Sequence, residues 1–205
     1  FNFARETGYT SSANPCAGIK GFKETGRDVY IEDAQFQAVW QAGTWPLRDA
    51  MDLAFLLGQR PADTLKLRET DLRDGYLNIQ QNKTGQKLRV RVAGEFQSVV
   101  ERIKERKRTL PSNRSKVVSI YLVCDEQGRK LTAASLRKLF DAARIQSGEH
   151  FQFRDIRAKA GTDLDDLAHA QKLLGHKNRK TTELYIRRRK GEAVEAVAGR
   201  IVENG

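Results

Sequence analysis

A chain of 205 residues suffices for one substantial core, and the usual size of a domain argues against two complete ones. Lysine and arginine total 37 against 26 acidic residues, a formal net charge of +11, which favours a polyanionic partner, nucleic acid first, over an acidic small molecule. No apolar run approaches the length that spans a bilayer and no signal-peptide pattern is present, while Cys16 and Cys124 stand far apart outside any CxxC or Cys/His pattern; a cytoplasmic, reduced protein without a disulfide framework or zinc site is expected.

Residues 1–29 show no sustained period, carry Gly8, Gly18, Gly21 and Gly26 with Pro15, and read as a linker or extended arm. Because the chain opens at Phe1 rather than methionine, it reads as a piece of a longer protein, with an N-terminal domain expected before the arm and one folded domain over residues 30–205. Phe36, Val39 and Trp40 fall at helical spacing. Met51 to Leu57 predicts a second helix, apolar nearly all round and therefore central, that ends at Gly58. Pro61 suits the first turn of a short helix running through Leu67, which sets Arg60 at the junction. Leu77 and Ile79, then Leu88, Val90 and Val92, alternate with polar residues as strands do, and Asn82-Lys83-Thr84-Gly85 between them predicts a hairpin tip that projects Lys83.

Phe96, Val99, Val100 and Ile103 repeat as one helix face, and that helix leaves through the basic run Lys104 to Arg108. A short strand is expected over Ile120 to Cys124, then a helix capped by Thr132 that carries Leu136, Leu139, Phe140 and Ala143 on one face, then helical segments almost to the end. The expected class is α+β, mostly α, with a small antiparallel sheet.

Six side chains carry the chemistry: Arg60, Lys83, Arg154, Arg157, His176 and Tyr185. Cleavage of a phosphodiester by a phenol needs a nucleophile in line with the leaving oxygen, donors on the non-bridging oxygens, and a proton for the departing alkoxide. Guanidinium suits the second task because it stays charged and its planar fork matches two phosphate oxygens. A lysine on a hairpin tip can reach the leaving group with a proton.

The local sequences are specific. Gly58-Gln59-Arg60-Pro61-Ala62-Asp63, Lys83 in its hairpin, Arg154-Asp155-Ile156-Arg157, and Leu173-Leu174-Gly175-His176 followed by Thr181-Thr182-Glu183-Leu184-Tyr185 together resemble the boxes of the tyrosine recombinase, or phage integrase, family over roughly Tyr30 to Arg189. The resemblance implies that Tyr185 attacks the scissile phosphate to give a 3′-phosphotyrosyl link, with Arg60, Arg157 and His176 on the phosphate and Lys83 as general acid. It also implies double-stranded DNA as partner, a homotetramer on paired sites, and no ATP, metal or other cofactor. Two positions depart from the pattern. Arg154 stands where the family more often has histidine, which keeps a cation but removes a group that titrates near neutral pH. Asp63 replaces the more frequent glutamate, with a shorter stem to orient a guanidinium.

Blander readings exist for each part. A tyrosine at helical spacing from leucines is ordinarily core or interface, and hairpin lysines commonly serve to keep an edge soluble. The runs Lys104 to Arg108 and Arg187 to Lys190 read as DNA-backbone contacts or solvated faces, His150 and His169 match no box, and Asp163, Asp165 and Asp166 read as a solvated helix start rather than a metal cluster. Ala193, Val194, Val197 and Ile201 fall at helical spacing, suited to docking on a neighbouring subunit. Rival functions are a DNA-binding protein of the same fold that no longer cuts, and type IB topoisomerase-like nicking and rejoining.

Overall fold

The computed structural model describes residues 1–22, 29–110, 119–164 and 166–190, the last segment without the side chains of residues 184, 185 and 187–190. Helix α1 (Asn2–Glu6) is a single turn within an otherwise irregular, exposed leader, a local element that the leader's sequence does not announce. Burial begins at Ile31. Helix α2 (Asp33–Ala42) follows, with the Glu32 backbone N–H donating to Gln35 Oε1 at 3.0 Å to close its first turn, and Phe36 and Val39 facing inward.

The centre is α3 (Trp45–Leu57), as its all-round apolar sequence predicts. Leu47, Ala50, Met51, Leu53 and Leu57 are fully buried, and α3 stops where Gly58 takes the left-handed conformation (φ 58°). Arg60 then caps α4 (Pro61–Thr64), which ends before Leu67: the chain turns there so that the Leu67 carbonyl accepts from the Leu122 N–H at 2.8 Å.

Strands β1 (Leu72–Arg73), β2 (Tyr76–Gln80) and β3 (Lys87–Arg91) pair antiparallel in that order, with Leu77 opposite Val90 and Ile79 opposite Leu88 on the inward face. The expected hairpin is present, and β1 is an addition to it. Asp74 and Gly75 both have positive φ (53° and 75°), the geometry of a two-residue turn matched to the strand twist.

Helix α5 (Gly94–Thr109) buries Phe96, Val99, Val100 and Ile103. Its basic end corrects the sequence reading, because part of that run faces the protein. Arg106 pairs with buried Asp49 and lies over the Trp45 ring at 4.9 Å, and Arg102 bridges Asp49 and Asp52 at 2.9 and 2.6 Å. Lys107 is only 9% exposed; its ammonium pairs with Glu69 and donates to the Ser119 and Tyr121 carbonyls at 2.5 and 3.0 Å. The strand expected at Ile120–Cys124 is replaced by single bridges, Arg68 with Tyr121 and Cys124 with Lys130. Leu122, Val123 and Cys124 are buried in succession, and their backbone bonds go singly to two separate segments, Leu122 N–H to the Leu67 carbonyl and the Val123 carbonyl to Leu131 N–H, so no continuous ladder forms.

Helix α6 (Ala133–Ser147) is capped as predicted, Thr132 Oγ1 accepting from the Ser135 N–H at 3.1 Å. A 3₁₀ turn (Phe153–Asp155) leads into α7 (Ile156–Thr162), buried along its whole length between α3 and α9 (Arg179–Lys190), with α8 (Leu167–Leu174) beside it. The approach of α7 and α8 is close enough to require glycine: a Cβ on Gly161 would lie 2.7 Å from Leu174 Cδ1. Asp166 caps α8 through the Ala168 N–H (2.8 Å), and Asp163, at the C-terminal end of α7, pairs with buried Lys159 one turn back at 2.8 Å, so these two acids serve a helix start and a helix end; Asp165 lies outside the described residues. Among the described residues no helix is long and apolar enough to cross a membrane. Residues 193–201, expected as a docking helix, lie outside the described residues.

Candidate active site

Three chain reversals converge to build the site: the α3–α4 junction, the β2–β3 hairpin, and the end of α8. Each is fixed by local chemistry. At the first, the left-handed Gly58 turns the chain so that Arg60 becomes the N-cap residue of α4. Arg60 Nη1 is buried and has no hydrogen-bond partner, an expensive state for a guanidinium donor unless an anion comes to it.

At the third, left-handed Gly175 (φ 62°) closes α8, with Gly175 and His176 N–H groups returning to the carbonyls of Lys172 and Gln171. This places the His176 ring between α7 and α9. Its Nε2 lies 3.4 Å from Arg157 Nη2 and its Nδ1 3.0 Å from Thr182 Oγ1. A guanidinium can only donate, so Nε2 holds the lone pair and Nδ1 the hydrogen, which the Thr182 hydroxyl accepts. Burial first, then the Arg157 and Arg60 charges, push the His176 pKa down to about 4, so the ring is neutral at physiological pH.

Arg157 itself is buried on α7. Its Nη1 donates to the Gly58 carbonyl and its Nη2 to the Leu174 carbonyl at 2.5 Å. Both acceptors stand at helix C-termini, where carbonyls lack intrahelical partners and partial negative charge accumulates. One guanidinium thus ties the Arg60 junction to the His176 turn.

The structure brings Arg157 and His176 into direct contact and sets Arg60 close enough for its charge to act on the imidazole. Lys83 is exposed on the hairpin tip, as its sequence predicts. Arg154, in the 3₁₀ turn before α7, is exposed and lines a cleft with Pro61, Arg137 and Arg144. Tyr185 lies in α9, which packs on α7 and α8; its side chain is outside the described residues.

Asp63 requires a correction. Instead of orienting a guanidinium, its Oδ1 accepts from the Asn82 N–H at 2.8 Å and meets the Lys66 ammonium at 3.1 Å, because the short stem on α4 points at the hairpin. Sequence reasoning gave no role to Gln59 and Thr182, which lie within the boxes, or to Gln81, two residues before Lys83; all three are buried polar residues.

The model of the family described as "Phage integrase family" matches residues 33–192. The chain belongs to that family. Among curated phage integrase relatives, the integrase of Escherichia phage HK022 is 27% identical over 179 residues, covering 82% of this chain and 49% of that protein. The integrase of Escherichia phage lambda is 30% identical over 152 residues, covering 70% of this chain and 41% of that protein. The chain therefore spans about half the length, or less, of these phage integrases. A lambda integrase tetramer bound to a Holliday junction has the same fold, with a TM-score of 0.79 at 24% identity over 95% of this chain and 58% of that one. The lambda integrase catalytic core gives a TM-score of 0.62 at 25% identity, covering 73% of this chain and 92% of that chain. The mostly helical fold with a small antiparallel sheet is thus the phage integrase catalytic fold.

Proposed function

We propose that this chain is the catalytic part of a site-specific DNA recombinase, an integrase of a prophage or other mobile element, which cleaves and rejoins double-stranded DNA through a 3′-phosphotyrosyl intermediate. The observation that carries this reading is the buried, partnerless Arg60 Nη1 beside the Arg157–His176 pair: a cationic cluster built from two guanidiniums and a neutral imidazole. Family membership and the lambda integrase structures on a core site and on a Holliday junction support DNA as the polyanion and a tetramer on paired sites as the working assembly. The net charge of +11 fits that partner, and the cytoplasm fits a protein that acts on DNA.

In the proposed reaction the Tyr185 oxygen bonds to the scissile phosphorus, its phenolic proton passes to solvent, and the bond from phosphorus to the 5′ oxygen breaks. Lys83 gives its proton to that oxygen, leaving a 5′-hydroxyl. Arg60 and Arg157 donate to the non-bridging oxygens as charge builds. The phosphate charge opposes the Arg157 and Arg60 charges that, together with burial, keep His176 neutral, and so favours protonation of Nε2, which otherwise has no hydrogen to donate. Rejoining is the reverse, with a 5′-hydroxyl attacking the phosphotyrosine, so bond energy is conserved and no nucleotide cofactor is consumed. Arg154 adds a permanent cation on the approach to Arg157.

Strand joining tests this reading. The chain, mixed with nicked duplexes from the attachment region of its element in EDTA and without ATP, should cleave at one phosphate and ligate a supplied 5′-hydroxyl strand. Tight binding without cleavage would favour a DNA-binding protein that no longer cuts; relaxation of supercoils without exchange would favour topoisomerase-like nicking.

A further inference from the structure

Gln59 and Gln81 are each 1% exposed, and their two amides form one directed chain of hydrogen bonds through the middle of the site. Gln59 Nε2 faces two carbonyls, Leu57 at 2.6 Å and Leu173 at 3.2 Å, so that atom must be the nitrogen and the other the oxygen. Gln59 Oε1 accepts from Gln81 Nε2 at 2.9 Å, and Gln81 Nε2 spends its second hydrogen on the Leu174 carbonyl at 3.1 Å. Gln81 Oε1 is left to accept, and the Thr84 hydroxyl donates to it at 2.8 Å. All four amide hydrogens are used, and no alternative orientation satisfies the surrounding carbonyls.

The partners are informative by position. Gln59 precedes Arg60, Leu174 lies two residues before His176, and Thr84 follows Lys83. Gln81 also closes the hairpin through its backbone, its N–H donating to the Gln86 carbonyl and its carbonyl accepting from Gly85 N–H, both at 2.9 Å. From the other side Asp63 holds the Asn82 N–H. Gly175 completes the fit: a Cβ there would lie 2.8 Å from Gln81 Oε1. The Lys83 side chain is exposed, yet the residues flanking it are fixed to the phosphate pocket.

We propose that Gln81, backed by Gln59, is a positioning residue that holds the Lys83 hairpin in register with the Arg60 and His176 segments, so that Lys83 meets the leaving 5′ oxygen. This inference rests on the recombinase reading above, with Lys83 as the proton donor. Gln81 touches no reacting atom; it acts through the geometry of the tip.

The test separates proton delivery from general damage. A duplex with sulfur in place of the 5′ bridging oxygen of the scissile phosphate expels a thiolate, which leaves without a proton, so it has no need of a general acid. Gln81→Met keeps the length of the side chain and removes its hydrogen bonds. It should slow cleavage of the ordinary duplex on the order of 10²-fold, the usual effect of misplacing a catalytic group by an ångström, while leaving the sulfur duplex close to the parent rate. Lys83→Ala should behave alike. Thr84→Val, which removes one hydrogen bond at a half-exposed position, should show the same selective loss at roughly tenfold or less, and it decides the matter if Gln81→Met does not fold. Equal slowing on both duplexes, or no slowing on either, would overturn the positioning role. If instead Lys83→Ala is not rescued by sulfur, or the parent chain cleaves neither duplex, the underlying assignment fails rather than the role of Gln81.

Discussion

Acidification should destabilise this fold through His176 in a way that one substitution can isolate. The imidazole is held neutral by burial and by the Arg157 and Arg60 cations, with a pKa of about 4 against an ordinary 6.5. Between those two values the unfolded chain binds a proton that the folded chain refuses, so stability from this group is fully present above pH 6.5 and is lost as pH falls toward 4. The difference of 6.5 − 4, or about 2.5 pH units, corresponds at ~1.36 kcal/mol per unit to ~3.4 kcal/mol. The ring is only partly buried, and solvent screening brings the expected effect to the order of 2 kcal/mol. His176→Asn keeps a donor near Thr182 and cannot titrate. Urea unfolding of both proteins from pH 7.5 to 4.5 should show the parent losing about 2 kcal/mol more than the variant, mostly below pH 6.5. Parallel curves would refute the claim that His176 is buried neutral beside two cations.

Arg157→Met removes the guanidinium from the Gly58 carbonyl and leaves the Leu174 carbonyl with Gln81 alone; it should cost about 2–4 kcal/mol of folding stability, read by urea denaturation, in addition to any loss of cleavage. Gly175→Ala meets both a left-handed backbone and the Gln81 amide; about 1–3 kcal/mol of destabilisation is expected, with cleavage reduced beyond what the lost stability explains. Binding to duplex DNA should weaken steeply with salt, on the order of 10³-fold from 50 to 200 mM, as counterion release by six or more phosphate contacts requires; fluorescence anisotropy across that range checks it.

Much of the fold was legible because single residues forced it. Gly58 ended α3, Thr132 began α6, and the alternation around Leu77 and Leu88 set the hairpin that carries Lys83. The Asp74-Gly75 turn was also legible and was passed over, since the strand before it has only two residues and shows no alternation. Other features depend on partners distant in sequence. Lys107 reads as a solvated cation until Glu69 and the Ser119 and Tyr121 carbonyls surround it, and Ile120 to Cys124 read as a strand until their bridges are seen to be single and to go to separate segments. The same holds at the site. The residues with distinctive chemistry, Arg60, Lys83, Arg154, Arg157, His176 and Tyr185, stand out by type and spacing. Gln59, Gln81 and Thr182 do not, because a buried amide or hydroxyl is remarkable only for what it faces.

The central claim is that Tyr185 becomes covalently joined to DNA. The most direct measurement traps the intact chain on nicked duplex, digests the denatured complex, and maps the nucleotide-bearing peptide by mass spectrometry. A 3′-phosphate-linked adduct on Tyr185, absent from Tyr185→Phe that still binds the same DNA, is the predicted result. Binding with no adduct, or an adduct on another residue, would contradict it.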